Sequence, residues 1–398
     1  MNIKRNTLVF YFTQIFHSLI FTAPIWIIYY QSRISITEMS LVVSFQYFIH
    51  VLLELPSGAL ADLIGRRNTT LIAFVIGTIG ALLFPLASEL WHFLVLASLM
   101  GSMDSFRSGS EEALLYDTYK EAKREDEFGK VYANGNFCYH GGLIVGAALG
   151  GIMYGVSPAL PFFAYGISLF IGTILVLLYK EPFLDSEKFT FNNYLLQIKN
   201  GTKEAFKTKY STYLSLFYIA VGGISLTTTF YFSDYMMVEL GFGDAQRGYL
   251  TALIRIINIL LIFVLVQNRN KLGWTRTILF FPIVMLVGYL PGISLSGYFG
   301  LPFVQLAMIA TTARWIILAP LTNEVFSSKY RATAISALSL FIGIIYTVIT
   351  FSSGYIIPIV GMKTMFSMLG IVSLIFVVPL AFKLIKLRGH YHSPQINP

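Results

Sequence analysis

The sequence predicts an all-α membrane protein, twelve transmembrane helices in two pseudo-symmetric six-helix bundles, and three observations predict it. The 398 residues are 56% hydrophobic and 16% aromatic with only 12% charged, and the mean hydropathy is +0.68; soluble domains average about 45–50% apolar and about 25% charged residues. Apolar runs long enough to cross a hydrocarbon core, which takes about 20 residues, recur from end to end. The longest polar stretch, 181–210, divides those runs six and six.

The runs fall in order at 8–30, 37–57, 69–88, 91–116, 130–156 and 160–180, then at 211–237, 247–267, 276–296, 300–322, 332–358 and 362–384. The basic start Met1-Asn2-Ile3-Lys4-Arg5 looks like a signal n-region. The run behind it is too long for a signal core and has no small-residue cleavage site, so it is expected to stay as the first span. The expected organisation is an N-terminal bundle over 1–180, a linker over 181–210, a C-terminal bundle over 211–384 and a cytoplasmic tail over 385–398. In the linker, Tyr194, Leu195, Ile198 and Phe206 suggest a short amphipathic helix on the membrane surface. Counting from an inside start, 22 of the 28 lysines and arginines fall on the starting side, Arg33, Arg247 and Lys363 on the other, and Arg107, Arg255 and Arg314 within spans. The positive-inside rule then puts both termini in the cytoplasm, as for a multi-pass protein of the inner membrane. The formal charge of +8 thus reports orientation, and no nucleic-acid partner is expected.

The lone cysteine, Cys138, excludes a disulfide framework, a CxxC pair and a thiolate zinc site. Neither G-x-x-x-x-G-K-[ST] nor H-E-x-x-H nor G-x-S-x-G occurs, so no enzyme chemistry, metal or cofactor is expected and a gradient must supply the energy. The charged residues inside spans carry the functional reading. Asp104, Arg107 and Glu111 share one face of the fourth span, with Glu112 adjacent. Each costs about 2.5–3.5 kcal/mol at mid-membrane, so the stripe must face a cavity or a partner. It reads either as a proton-coupling site or as a salt-bridge ladder in which the acids neutralise Arg107. Gln14 and His17 on the first span, Gln46, His50 and Glu54 on the second, and Asn136, Tyr139 and His140 on the fifth make a polar, aromatic wall. Its histidines either titrate near neutral pH or bond to neighbouring helices. In the second half Arg255 with Asn258 and Arg314 with Trp315 lie mid-span without an acid at their depth. Arg107 precedes Asp117 by ten residues, as Arg314 precedes Glu324, the weak internal symmetry of duplicated transporter halves.

The segment Gly58-Ala59-Leu60-Ala61-Asp62-Leu63-Ile64-Gly65-Arg66-Arg67 resembles motif A of the major facilitator superfamily, G-x-L-a-D-r-x-G-r-[rk], lacking only the basic residue after the aspartate. The resemblance implies that fold and transport by alternating access. It makes Asp62 a latch that caps and pairs with neighbouring helices in the outward-facing state, Gly58 and Gly65 the sites of close approach and tight turn, and Arg66 and Arg67 the grip on the loop. Arg107 resembles the motif B arginine, associated with proton coupling, although the usual glutamine and glycine do not follow it. Gly142-x-x-x-Gly146-Ala147-Ala148-Leu149-Gly150-Gly151 is similar to motif C of drug antiporters, with Ala147 where that motif has proline; small residues at this spacing also give a flat packing face. Asn323-Glu324, Arg331-Ala332-Thr333 and Ser336 look like bacterial members of that branch.

The expectation is therefore a monomeric, proton-coupled multidrug efflux antiporter for a small amphipathic molecule. Asp104, Arg107, Glu111, Glu112 and Glu54 are the coupling candidates. Gln14, His17, His50, Asn136, His140, Arg255, Asn258, Arg314 and Trp315 are the cavity candidates, since the resemblance implies that alternate spans line the cavity. Its basic second wall keeps uptake or exchange of an organic anion or zwitterion open, unless those arginines reach Glu54, Asp104 or Glu111. A lipid flippase of the same fold and a non-transporting receptor are further alternatives.

Overall fold

The structure, a computed structural model, describes residues 3–182, 191–327 and 330–391. The middle of the expected linker, 183–190, and the end of the expected tail, 392–398, lie outside the described residues, as do the side chains of Tyr194 and Leu195. Every regular element among the described residues is helical. Among the described residues, ten helical segments are long and apolar enough to cross a membrane: Ile36–Glu54, Arg66–Leu86, Glu125–Val156, Leu160–Leu177, Lys209–Glu239, Asp244–Asn268, Lys271–Ser294, Gly297–Val325, Thr333–Val360 and Met362–Arg388. Helices also occupy the expected first and fourth positions, but the first is interrupted and the fourth is heavily charged.

The chain forms two compact units, Met1–Phe191 with Phe242–Ile256, and Asn192–Gly241 with Ile257–Pro398. In unit 1, α1 (Ile3–Ser18) and α2 (Trp26–Gln31) are separated by turns, where the Ile20 and Phe21 amides bond back to the Ser18 and Leu19 carbonyls at 2.7 and 3.0 Å. Pro24 has no amide to carry a helix through this stretch. The break is seated by α6 (Glu125–Val156): a Cβ on Gly142, Gly146 or Gly150 would overlap Ser18 Oγ, the Ile20 nitrogen or the Phe21 carbonyl. Gly151 meets the Asp244 carbonyl in the same way. The glycine stripe therefore brings backbone against backbone.

Helix α3 (Ile36–Ile64) opens on a capping box of Ser35 and Glu38, which satisfies two otherwise unpaired amides. It stops at Gly65, whose φ of +94° suits only a residue without Cβ, and α4 (Arg66–Leu83) starts at once. Helix α5 (Leu90–Glu121) packs on α3 and α4, and α7 (Leu160–Leu177) packs on α4 and α1. Buried Asn6 ties these together, its Nδ2 donating to Thr118 Oγ1 at 2.9 Å and its Oδ1 accepting the Lys180 amide at 3.0 Å.

Unit 2 begins with α8 (Phe191–Ala205), followed by α9 (Lys209–Thr227), which packs on the later α14 (Arg331–Val360) and α15 (Met362–Tyr391). A π-helical turn over Thr228–Phe232 joins α9 to α10 (Ser233–Glu239). Helix α11 (Asp244–Tyr289) is two helices meeting at Gly273, φ +66°, and contributes its first residues to unit 1. A second π-helical turn, Arg314–Leu318, joins α12 (Leu301–Ala313) to α13 (Ala319–Val325). Thr229 donates to Thr311 at 2.9 Å, from one π-turn region to the helix leading into the other.

Candidate functional site

Unit 1 holds a polar centre built around Glu111, which is 1% exposed. Thr13 at 2.5 Å and Tyr179 at 3.1 Å donate to one carboxylate oxygen, and Gln14 at 3.0 Å and Arg107 at 3.0 Å to the other. Four donors match the acceptor capacity of an ionised carboxylate. The i,i+4 spacing on α5 puts Arg107 one turn from Glu111, whereas Thr13 and Gln14 come from α1 and Tyr179 follows α7. Arg107 is satisfied on one side only: its Nε is buried with no hydrogen-bond partner among the described residues. Beside it lies a cavity of about 170 Å³ lined by Gln14, Arg107, Glu111, Glu112, Asn136 and Tyr139. Five of the expected site residues thus meet at one place. Across the cavity Glu112 accepts from Tyr132 at 3.0 Å.

A second group lies along the same helices. His17 is buried and sits 3.9 Å from Asp104, whose side chain is 42% exposed; its ring stacks on Tyr139 with centroids 6.0 Å apart. His50 and Arg107 are within electrostatic reach of Asp104, and Arg255 is within reach of Tyr139 and His140. Arg255 makes no ion pair among the described residues. Glu54 is exposed on α3.

Three expected cavity residues belong to unit 2. Asn258 accepts from Gln305 at 2.5 Å. Arg314 is 2% exposed, with its guanidinium 4.7 Å from the Tyr218 ring and 4.4 Å from that of Trp315. Stacking on two π-faces compensates part of the cost of burying that charge.

The Gly58–Arg67 segment makes the α3–α4 turn. Glu181, absent from the expected site, accepts the Arg66 and Arg67 amides at 2.7 and 2.8 Å, a carboxylate at a helix N-terminus where the backbone dipole favours it. Arg66 is ion-paired with Asp117, and Arg67 donates to the Leu177 carbonyl at 2.8 Å. A Cβ at Gly65 would press on the Glu181 carboxyl, while one at Gly58 would meet nothing within 4 Å. Asp62 makes no hydrogen bond or ion pair among the described residues. Thr13, Tyr179 and Glu181 escaped sequence reasoning because each reaches its partner across 68 or more residues.

The sequence pattern of the Major Facilitator Superfamily matches residues 7–323. Two proteins of Bacillus subtilis (strain 168), both described as uncharacterized MFS-type transporters, are similar. YqjV is 29% identical over 226 residues, 54% of this chain and 51% of its own length; YhjO is 26% identical over 157 residues, 39% and 38%. The chain thus spans about half or less of each of these relatives. Among solved structures, a mutant of the nucleoside transporter NupG has the same fold, with a TM-score of 0.75 at 13% identity, over 97% of this chain and 99% of that one.

Proposed function

The chain belongs to the Major Facilitator Superfamily, and on that premise we propose that it is a secondary active transporter moving a small amphipathic molecule by alternating access. In this reading the chain crosses the membrane twelve times, α1 with α2 making the first span and α5 the fourth. Bundles over 1–180 and 211–384 are joined by 181–210, both termini are cytoplasmic, and a monomer works in the inner membrane. One observation carries the reading: the buried Arg107–Glu111 pair beside a cavity of about 170 Å³. Ionisable groups at membrane depth are costly and mark substrate or ion paths. Arg107 lines the cavity and brings guanidinium donors to it, while the exposed carboxylate of Glu112 and the Asn136 amide offer complementary groups.

Within that site the roles divide. Glu111, its acceptor sites filled, holds Arg107 in place. Asp104, partly exposed and beside His17, carries the coupling proton: protonation there removes one of the charges that balance Arg107 and so shifts the equilibrium between states. Glu54 is the reserve candidate. Asp62 acts as the motif A latch when the transporter changes state, and the direction is proton-coupled drug efflux. A second reading, exchange of an organic anion or zwitterion, is favoured by Arg255, which makes no ion pair among the described residues. Counterflow in proteoliposomes decides, with amphipathic cations, organic anions, zwitterions and nucleosides offered with and without an imposed pH gradient. Saturable counterflow of one class, driven uphill by the pH gradient and lost uphill but kept downhill in Asp104→Asn, supports the proposal. Absence of counterflow for every class overturns it.

A further inference from the structure

We propose that one end of unit 2 binds the phosphate of an anionic lipid headgroup. The membrane-capable segments Lys209–Glu239 and Lys271–Ser294 begin there and Met362–Arg388 ends there, so three helix ends share one membrane–water boundary. Ring contacts bring them together. The Arg388 guanidinium lies 4.5 Å from the Trp274 ring centre, the Lys383 ammonium 5.8 Å from that of Tyr213, and the Tyr210 and Trp274 rings are 6.4 Å apart. Lys209, Lys271, Arg276, Lys383 and Lys386 around them are exposed. Neither Lys383 nor Arg388 makes an ion pair among the described residues; Glu324 is within electrostatic reach of Tyr210.

Membrane orientation explains why cations lie at this boundary, but it does not explain why Arg388 stacks on Trp274 and Lys383 lies near Tyr213, aromatic rings supplied by other helices. A guanidinium lying on an indole face keeps its in-plane N–H donors available, the fork that grips phosphate oxygens in pairs. Tyr and Trp sit at headgroup depth by preference, and a basic pocket between helix ends attracts acidic headgroups. Stacking on Trp274 orders the Arg388 guanidinium before a lipid arrives, so less side-chain entropy is lost on binding.

The test titrates a short-chain phosphatidylglycerol into the detergent-purified full chain and counts bound lipids by native mass spectrometry. Phosphatidylcholine and soluble glycerol phosphate serve as separate arms. Phosphatidylglycerol is expected to bind, and the other two to bind far more weakly. Each cation removed weakens binding about fivefold, the weight of one lysine or arginine at an anionic surface, so Lys383→Gln with Arg388→Gln weakens it about 25-fold. Lys363→Gln, elsewhere in unit 2, leaves it unchanged. If the double variant fails to fold, Lys383→Gln alone carries the test, since its side chain is exposed. Equal binding by the variants and the wild type overturns the proposal. So does an equal loss in Lys363→Gln, or glycerol phosphate binding as tightly as the lipid.

Discussion

Glu111→Gln is expected to destabilise unit 1 by about 3–5 kcal/mol, the usual cost of removing one member of a buried charge pair. The glutamine amide fits the same space, and its NH₂ can face Thr13 and Tyr179, whose hydroxyls rotate to accept it. Its oxygen can then face Gln14 and Arg107. Hydrogen bonding at the four donors of Glu111 is thereby largely preserved, and the loss is one of charge: Arg107 remains at 15% side-chain exposure without its partner. Asp104 also acts on Arg107 electrostatically, which places the expected value at the lower end of that range. Adding Arg107→Gln removes the uncompensated cation, so the double variant should be more stable than the sum of the single variants implies, by about 2–3 kcal/mol. Reversible unfolding of reconstituted protein in mixed micelles, with mole-fraction SDS as denaturant, measures all four corners of this cycle. Additivity within about 0.5 kcal/mol would refute the claim that the two residues act as one unit.

Gly150→Ala drives a methyl into the Phe21 carbonyl and should cost about 1–3 kcal/mol as overpacking; Gly58→Ala, in open space within α3, should instead gain about 0.5–1 kcal/mol of helix propensity, and thermal unfolding of the two variants should show opposite signs. Glu181→Gln weakens the cap on α4 and should cost about 0.5–2 kcal/mol, read as faster hydrogen exchange at the Arg66 and Arg67 amides. Glu204 on α8 accepts the Ser327 amide at 2.9 Å, and that bond, with Lys207 nearby, holds its carboxyl below the usual glutamate range. A lowered folded-state pKa stabilises above the unfolded value of about 4.3 and is lost as pH falls through the lower folded value. The difference in melting temperature between wild type and Glu204→Gln should therefore be constant near neutrality and shrink below about pH 4.

Helix positions were legible because the requirement is local: an apolar run of sufficient length leaves the chain few alternatives. The break between Ser18 and Trp26 was not, although Pro24 stood in plain view. What seats it is a glycine stripe more than a hundred residues later, read from sequence only as a flat face of unknown partner. The charged stripe on α5 was visible from its spacing, and so was the choice between a coupling site and a salt-bridge ladder. In the structure Glu111 is buried in an ion pair with Arg107, while Asp104, with a side chain 42% exposed, lies beside His17. Glu181 opens the polar 181–210 stretch, and its cap on the Arg66 and Arg67 amides is defined by tertiary position and carries no local signature. Arg314 reads from sequence as a mid-span cation to be balanced by a carboxylate from the other bundle or by an anionic ligand; the structure adds the faces of Tyr218 and Trp315, which no spacing rule brings to it.

In the proposed mechanism the cavity beside Arg107 receives the transported molecule. Asn136 lines that cavity from α6 and is exposed, so a tryptophan there occupies the space without disturbing the Glu111 network. Counterflow by Asn136→Trp, with the substrate class that the wild type carries, tests the claim most directly. Loss of counterflow at wild-type unfolding stability is the predicted result, and full counterflow with unchanged half-saturation would contradict it.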